Sequence, residues 1–314
     1  MRKLRVKLEF QVAVYHIFSR VVDRLFRFDD ATKDAFQDLI WKVAYFSGVE
    51  IITYAIMSNH FHILVRVQPI WSVVDQDEVI KRAEILYGYD KKRWLENKLK
   101  HLRENGKDDE AEAILDSYRA RMNNVSEFMK TLKLRMTIWF NREHKRTGTL
   151  WESRFGSILL EDIPNSELLR LTAAYIDLNS VRAKIVRDPS EYSWCGFADA
   201  SLTKPKRAGW AKKGIASLYQ DSPKKELEKY GTLLRAKAFK KRSPGQPKDL
   251  PGLHPLADLH VRNDTFMHGR AMGRRSFILD IEGKHPAGGV TPCHNGKNGQ
   301  ILVSGCLTRH ASRA

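Results

Sequence analysis

The chain has 314 residues, 42% of them hydrophobic, with 54 Lys+Arg against 37 Asp+Glu and a formal net charge of +17. That size supplies a core for one large domain or two, and no apolar run approaches the ~18 residues of a membrane span, so none is expected. Met1-Arg2-Lys3-Leu4-Arg5-Val6-Lys7 puts charges where a signal peptide needs an apolar stretch, and Cys195, Cys293 and Cys306 are too few and too scattered for a disulfide scaffold or zinc knuckle; a cytoplasmic, reducing setting is the expectation.

In chain order, a first strand is predicted over about 8–21, where Phe10, Val12, Val14, His16 and Phe18 alternate with other residues. A helix over 30–47 opens at Asp29 and Asp30, carries Phe36, Leu39, Ile40, Val43 and Phe46 at helical spacing, and ends at Gly48. Strands over 49–56 and 60–67 form a hairpin with Ser58-Asn59 in its turn. On the second strand His60 and His62 project from one face, while Phe61 turns the other way into a core. Two imidazoles on one strand face can grip a divalent metal if a third ligand arrives from elsewhere. Taken alone, such a pair is more often structural or merely exposed.

The stretch 74–120 is highly charged, with helical patches such as Lys91-Lys92-Arg93-Trp94-Leu95-Glu96, and reads as a helical insertion: a solvated spacer, or a clamp over DNA. A long helix near 123–144 and a strand near 155–161 follow. Pro164, Asn165 and Ser166 start another helix, on which Leu168, Leu169, Leu171, Ala173, Ile176 and Leu178 are apolar. Tyr175 and Asn179 are four apart on it and share a face. A tyrosine hydroxyl can be a covalent nucleophile, and an amide oxygen is a hard, neutral metal ligand. In isolation that pair too is commonly bland. The order β-α-β-β-α-β-α predicts an α+β, ferredoxin-like domain, an antiparallel sheet with helices on one face and the histidine strand at its centre.

Taken together, these motifs resemble the HUH single-tyrosine transposases, most closely the REP-associated tyrosine transposase branch. Val14-Tyr15-His16-Ile17-Phe18-Ser19-Arg20 resembles the family's opening strand, and Tyr54-Ala55-Ile56-Met57-Ser58-Asn59-His60-Phe61-His62 its metal-binding strand. Trp139-Phe140-Asn141-Arg142 and Arg146-Thr147-Gly148-Thr149-Leu150-Trp151-Glu152-Ser153-Arg154-Phe155 resemble its central helix and following turn, and Tyr175-Ile176-Asp177-Leu178-Asn179-Ser180-Val181-Arg182-Ala183 its nucleophile helix. Ser180 departs from the pattern, since many members carry proline just after the asparagine. The resemblance implies that His60, His62 and Asn179 hold Mg²⁺ or Mn²⁺, and that Tyr175 attacks a scissile phosphate to leave a 5′-phosphotyrosine and a free 3′-hydroxyl. A second 3′-end can then reverse the step and rejoin strands. It also implies single-stranded or hairpin DNA as partner, a nucleoid-associated location, and a monomer or a homodimer.

The charge is unevenly placed: residues 1–200 hold 32 Lys+Arg against 29 Asp+Glu, and residues 201–314 hold 22 against 8. The chain therefore divides into a catalytic domain over 1–200, a basic helical segment over 201–250, and a Gly/His-rich tail over 251–314, read as partly disordered. Lys204, Lys206, Arg207, Lys212, Lys213, Lys224, Lys225, Lys240, Lys241 and Arg242 can neutralise phosphates. Trp210 and Tyr219 among them can stack on unpaired bases or simply pack. Pro244, Pro247 and Pro251 mark a linker, and Cys293-His294 has no partner pair at metal-ligand spacing. Within 1–200, Lys133, Arg135, Arg142, Lys145, Arg146 and Arg154 form a candidate phosphate-contacting set, because a row of unpaired charges cannot all face a core; Arg154 and Trp151 can instead be structural. Two rival functions stay open: a regulator that keeps the fold and binds nucleic acid without catalysis, and a metal phosphodiesterase that uses water in place of Tyr175.

Overall fold

A computed structural model describes residues 6–70, 74–202, 206–219, 223–238, 270–284, 290–296 and 299–304. Lys204, the Lys240-Lys241-Arg242 run and the linker prolines lie outside the described residues. The first strand, β1 (Ala13–Arg20), is shorter than predicted, and Phe10 and Val12 are exposed ahead of it. Next, α1 (Asp30–Ser47) is capped by the Asp29 carboxylate, which accepts the Thr32 N–H at 2.8 Å, and ends at Gly48 with φ +64°. Glycine suits that turn twice over: a Cβ there would also lie 2.6 Å from the Arg82 guanidinium. The hairpin of β2 (Val49–Ile56) and β3 (His60–Val67) follows as predicted.

The charged stretch folds into α2 (Gln76–Tyr87), α3 (Tyr89–Glu104) and α4 (Asp108–Arg119). Their apolar stripes bury Leu95, Leu99, Leu102, Ala111 and Leu115. The long helix α5 (Val125–Glu143) packs against α1, and β4 (Gly156–Leu160) follows. Then come α6 (Glu167–Asp177), α7 (Asn179–Arg182), α8 (Gly196–Ser201), α9 (Lys206–Ala216) and α10 (Pro223–Ala238). Where the sequence suggests a tail, β5 (Ala271–Arg274), α11 (Arg275–Lys284), β6 (Val290–Gly296) and β7 (Gly299–Ser304) form instead. Gly296 and Gly299 pair at the end of the β6–β7 hairpin, so the glycines that suggest disorder by composition close a hairpin here.

The strands make one sheet in the order β2-β3-β1-β4-β5-β7-β6. Its first four strands are antiparallel, but β5 joins β4 in parallel, so the sheet as a whole is mixed. Glu161 fixes that junction by accepting the Arg274 N–H at 2.7 Å and the Arg274 Nε–H at 2.9 Å. Cross-strand partners His16↔Leu64 and Phe18↔His62 put His16, Phe18 and His62 on one face. Phe61 on the other face meets Phe36 of α1 at 5.0 Å between ring centroids, and Trp151 at 5.5 Å. Trp151 is thus a packing residue, its indole N–H donating to the Lys133 carbonyl at 3.1 Å.

The expectation of helices on one face holds for α1 and fails for α6, which lies on the histidine face with Tyr175 against His16 and His62. Both faces of β1 and β3 are therefore covered. This explains why Phe61 to Val65 is a continuous buried run rather than an alternation.

Beyond the sheet, α9 presses on β2 at Gly214, where a Cβ would meet the carbonyl oxygens of Ile51 at 2.2 Å and Ile52 at 2.7 Å. Backbone cannot yield as a side-chain tip can. Gly214→Ala is expected to cost about 1–3 kcal/mol of stability, read as a lower urea midpoint at unchanged slope; an unshifted midpoint would show that α9 sits further from β2.

Candidate active site

The site forms where the histidine face of the sheet meets the C-terminal end of α6. His62 is 2% exposed, Tyr175 7% and Asn179 9%, whereas His60 and Arg182 are half-buried and Arg20 is exposed. The site therefore opens to solvent at its His60 and Arg182 end. The rings of His60 and His62 lie 5.3 Å apart, and Tyr175 is edge-on to His62 at 5.8 Å and to His16 at 6.0 Å.

Neighbours orient both predicted ligands. His60 Nδ1 lies 2.6 Å from Asn59 Oδ1, an acceptor, so Nδ1 carries the proton and Nε2 the lone pair. His62 Nδ1 lies 2.9 Å from His16 Nε2; when His62 donates that bond, its own Nε2 is left with a lone pair too. Burial, followed by the positive charges of Arg20 and Arg182, pushes His60 down to about 4. Burial, followed by the neighbouring His16 and His60, holds His62 well below the usual histidine range. Both imidazoles are thus neutral at pH 7, the protonation state that metal ligation requires.

Asn179 joins this pair, its side chain close enough to His60 to favour the protonated ring against the larger effect of burial. It begins α7, separated from α6 by Leu178 alone, and the backbone bonds run on: Leu178 N–H to the Ala174 carbonyl at 3.0 Å, Arg182 N–H to the Leu178 carbonyl at 2.9 Å. Ser180 lies inside α7. The added turn returns Arg182 over the Tyr175 ring, 4.2 Å from its centroid. Among the described residues no group of three or more His, Cys, Asp or Glu could hold a metal. Two imidazoles with one amide oxygen is a different donor set, and its mix of neutral N and O ligands fits a divalent ion of intermediate hardness.

Three of the six basic residues predicted to contact phosphates also bond the protein's own backbone. Lys133 donates to the Ser153 carbonyl at 2.7 Å, and Arg135 donates to the Leu86 carbonyl at 2.9 Å while stacking on Tyr87. Arg146 donates to the Thr149 carbonyl at 3.0 Å, whereas Arg142, Lys145 and Arg154 are exposed. In the first three, satisfying loop and helix-end carbonyls uses donors that sequence alone assigns to DNA.

Sequence reasoning missed what positions Tyr175. Asp177, fully buried two residues on, accepts from Thr53 Oγ1 of β2 at 2.8 Å, from the Phe197 N–H at 3.1 Å and from the Tyr230 hydroxyl of α10 at 2.6 Å. Burial raises its carboxyl to about 6 although all three donors pull it down. His16, Arg20 and Arg182 are further additions to the predicted set. His16 was legible as a histidine at even spacing from Phe18 on β1; Thr53 and Tyr230, 124 and 53 residues from Asp177, carry no local signal.

The family model described as "Transposase IS200 like" matches residues 10–106, which hold β1 to α3 and both histidines. No curated protein matches the chain. Among solved structures, a REP-associated tyrosine transposase bound to a REP hairpin is similar at 14% identity, covering 65% of this chain and 89% of that one, with a TM-score of 0.39.

Tyr230→Phe removes one donor to a buried carboxylate and nothing else. It is expected to cost about 1.5–3 kcal/mol in urea unfolding at pH 7; unchanged stability would mean that Asp177 does not tie α10 to α6.

Proposed function

We propose that the chain is a metal-dependent transposase that cuts and rejoins single-stranded or hairpin DNA through Tyr175. The observation that carries this reading is the placement of Tyr175 against His62, both on one buried face, with Arg182 over the phenol ring. The IS200-like match over the histidine half of the site supports it.

His60, His62 and Asn179 would hold Mg²⁺ or Mn²⁺, which when bound would supply Lewis acidity toward a non-bridging phosphate oxygen. Tyr175 Oη would give up its proton and attack phosphorus in line; its bond to phosphorus forms as the bond to the 3′-oxygen breaks, and the leaving oxygen takes up a proton, so protons balance. Arg182 favours this step in two ways, stabilising phenolate character on Tyr175 and attracting the phosphate to the open end of the site. Arg20 extends the positive field there. His16 holds His62 in one tautomer, and Asp177 keeps α6 pressed on the sheet. The reverse step, attack of another 3′-hydroxyl on the phosphotyrosine, rejoins strands with no external energy source. Tyr175 and the histidines face each other within one chain, which supports catalysis in cis rather than by exchange of α6 between subunits.

Labelled hairpin DNA with single-stranded flanks, incubated with the protein and Mn²⁺ and run on a denaturing gel, tests the reading. A covalent protein–DNA band is expected that is absent with EDTA, with Tyr175→Phe and with His62→Ala, and whose rate of formation drops roughly 100-fold or more with Arg182→Ala. Cleavage that survives Tyr175→Phe without an adduct would instead assign the attack to water. Binding without cleavage across a panel of hairpins would make the protein a regulator.

A further inference from the structure

At the far end of the sheet from β6, outside the histidine site, α1, α2 and α9 border a half-open cavity of about 230 Å³ beside β2. Trp41 and Tyr45, one turn apart on α1, and Trp210 of α9 supply three aromatic walls. The Trp210 ring lies 5.6 Å from that of Trp41 and 6.1 Å from that of Tyr45. Trp41 is 6% exposed, and its indole N–H finds no hydrogen-bond partner among the described residues. That N–H is itself shut off from open space, so Trp41 offers an occupant ring surface rather than a donor.

Size and charge narrow the occupant. The cavity is smaller than the roughly 300–1,000 Å³ of drug-sized sites, and so suits a single ring system. Arg82 and Lys213 line it as well. Glu78 fixes the Arg82 guanidinium by accepting from Nε at 2.8 Å, which leaves further N–H groups on the same rigid fork. Two carboxylates line the cavity too; Glu78 is paired with Arg82 and Lys81, and Glu50 shares Arg66 with Asp162, so their repulsion of an anion is reduced in part. The walls are also fixed in advance, because Gly214, one turn after Trp210, locks α9 onto the β2 backbone.

A flat π-face with an attached anion describes a nucleotide. We infer that this cavity binds one unpaired nucleobase of a DNA strand, stacked on Trp210, with its phosphate toward Arg82 and Lys213. The choice of a DNA strand as the source rests on the function proposed above. Of the two aromatics that the sequence sets among basic residues, Trp210 takes this role, while Tyr219 lies under Arg170 at 5.4 Å.

The test uses the full chain and hairpin oligonucleotides whose single-stranded flank carries 2-aminopurine at one position at a time, with the covalent adduct measured in parallel. One position is expected to be quenched on binding. Trp210→Leu removes that quench and weakens binding roughly 5- to 150-fold, the range for loss of one base–aromatic stack; Trp210→Tyr, which keeps a ring, restores most of both. Wild-type adduct with no quenched position, or quenching and affinity unchanged in Trp210→Leu, would overturn the inference while leaving the transposase reading intact. Loss of both binding and adduct in the wild-type protein would remove both. Quenching of free 2-aminopurine deoxynucleotide that oligonucleotides do not compete away would assign the cavity to a free nucleotide and overturn the DNA-strand assignment.

Discussion

The Asp177 carboxylate is removed from water and fully ringed by donors, and the candidate site depends on it. Thr53 reaches it from the sheet, Tyr230 from α10, and the Phe197 amide from the start of α8. Three separate parts of the chain thus converge two residues after Tyr175. A carboxylate in such a place is costly unless every lone pair is used, so α6 has few alternative positions. Its angle on the sheet, and with it the approach of Tyr175 to the histidines, follows from satisfying one buried charge.

The histidines pose the opposite electrostatic problem. They are neutral and sit among arginines, which penalise a proton on either ring and would attract an anion to the same spot. One arrangement therefore serves two ends: lone pairs stay available on His60 and His62, and the open side is electrically suited to an anion. Asn59 and His16 add direction by engaging the Nδ1 atoms, leaving the Nε2 atoms to face the gap. Such outer partners govern ligand geometry as firmly as the ligands do.

Much of this was legible in the sequence wherever the signal was local. The His60–His62 spacing on a strand, the Tyr175–Asn179 spacing on a helix, the Asp29 cap and the Gly48 stop are all short-range patterns, and the elements carrying them form where the periodicity places them. What the sequence hid was long-range. Nothing about residues 168–179 says which sheet face their helix will cover, and the apolar run of β3 fits either answer. Thr53, Tyr230 and Arg182 enter through tertiary contact, and Arg135 of α5 bonds the Leu86 carbonyl. Near the C-terminus, composition alone does not show that Gly296 and Gly299 of the Gly-rich stretch pair across two strands.

The parallel pairing of β5 with β4 bears on where this protein can be divided. The Leu159 N–H is met by the Arg270 carbonyl at 2.9 Å and the Glu161 N–H by the Met272 carbonyl at 3.0 Å, while Tyr230 supplies a donor to Asp177. A fragment ending near residue 200 would keep the histidines and Tyr175. It would also bare β4 as a template for strand addition between molecules and leave a buried carboxylate short of a donor. His60, His62 and Tyr175 all lie within the first 200 residues, yet β4 and Asp177 draw hydrogen bonds from residues 230 to 272.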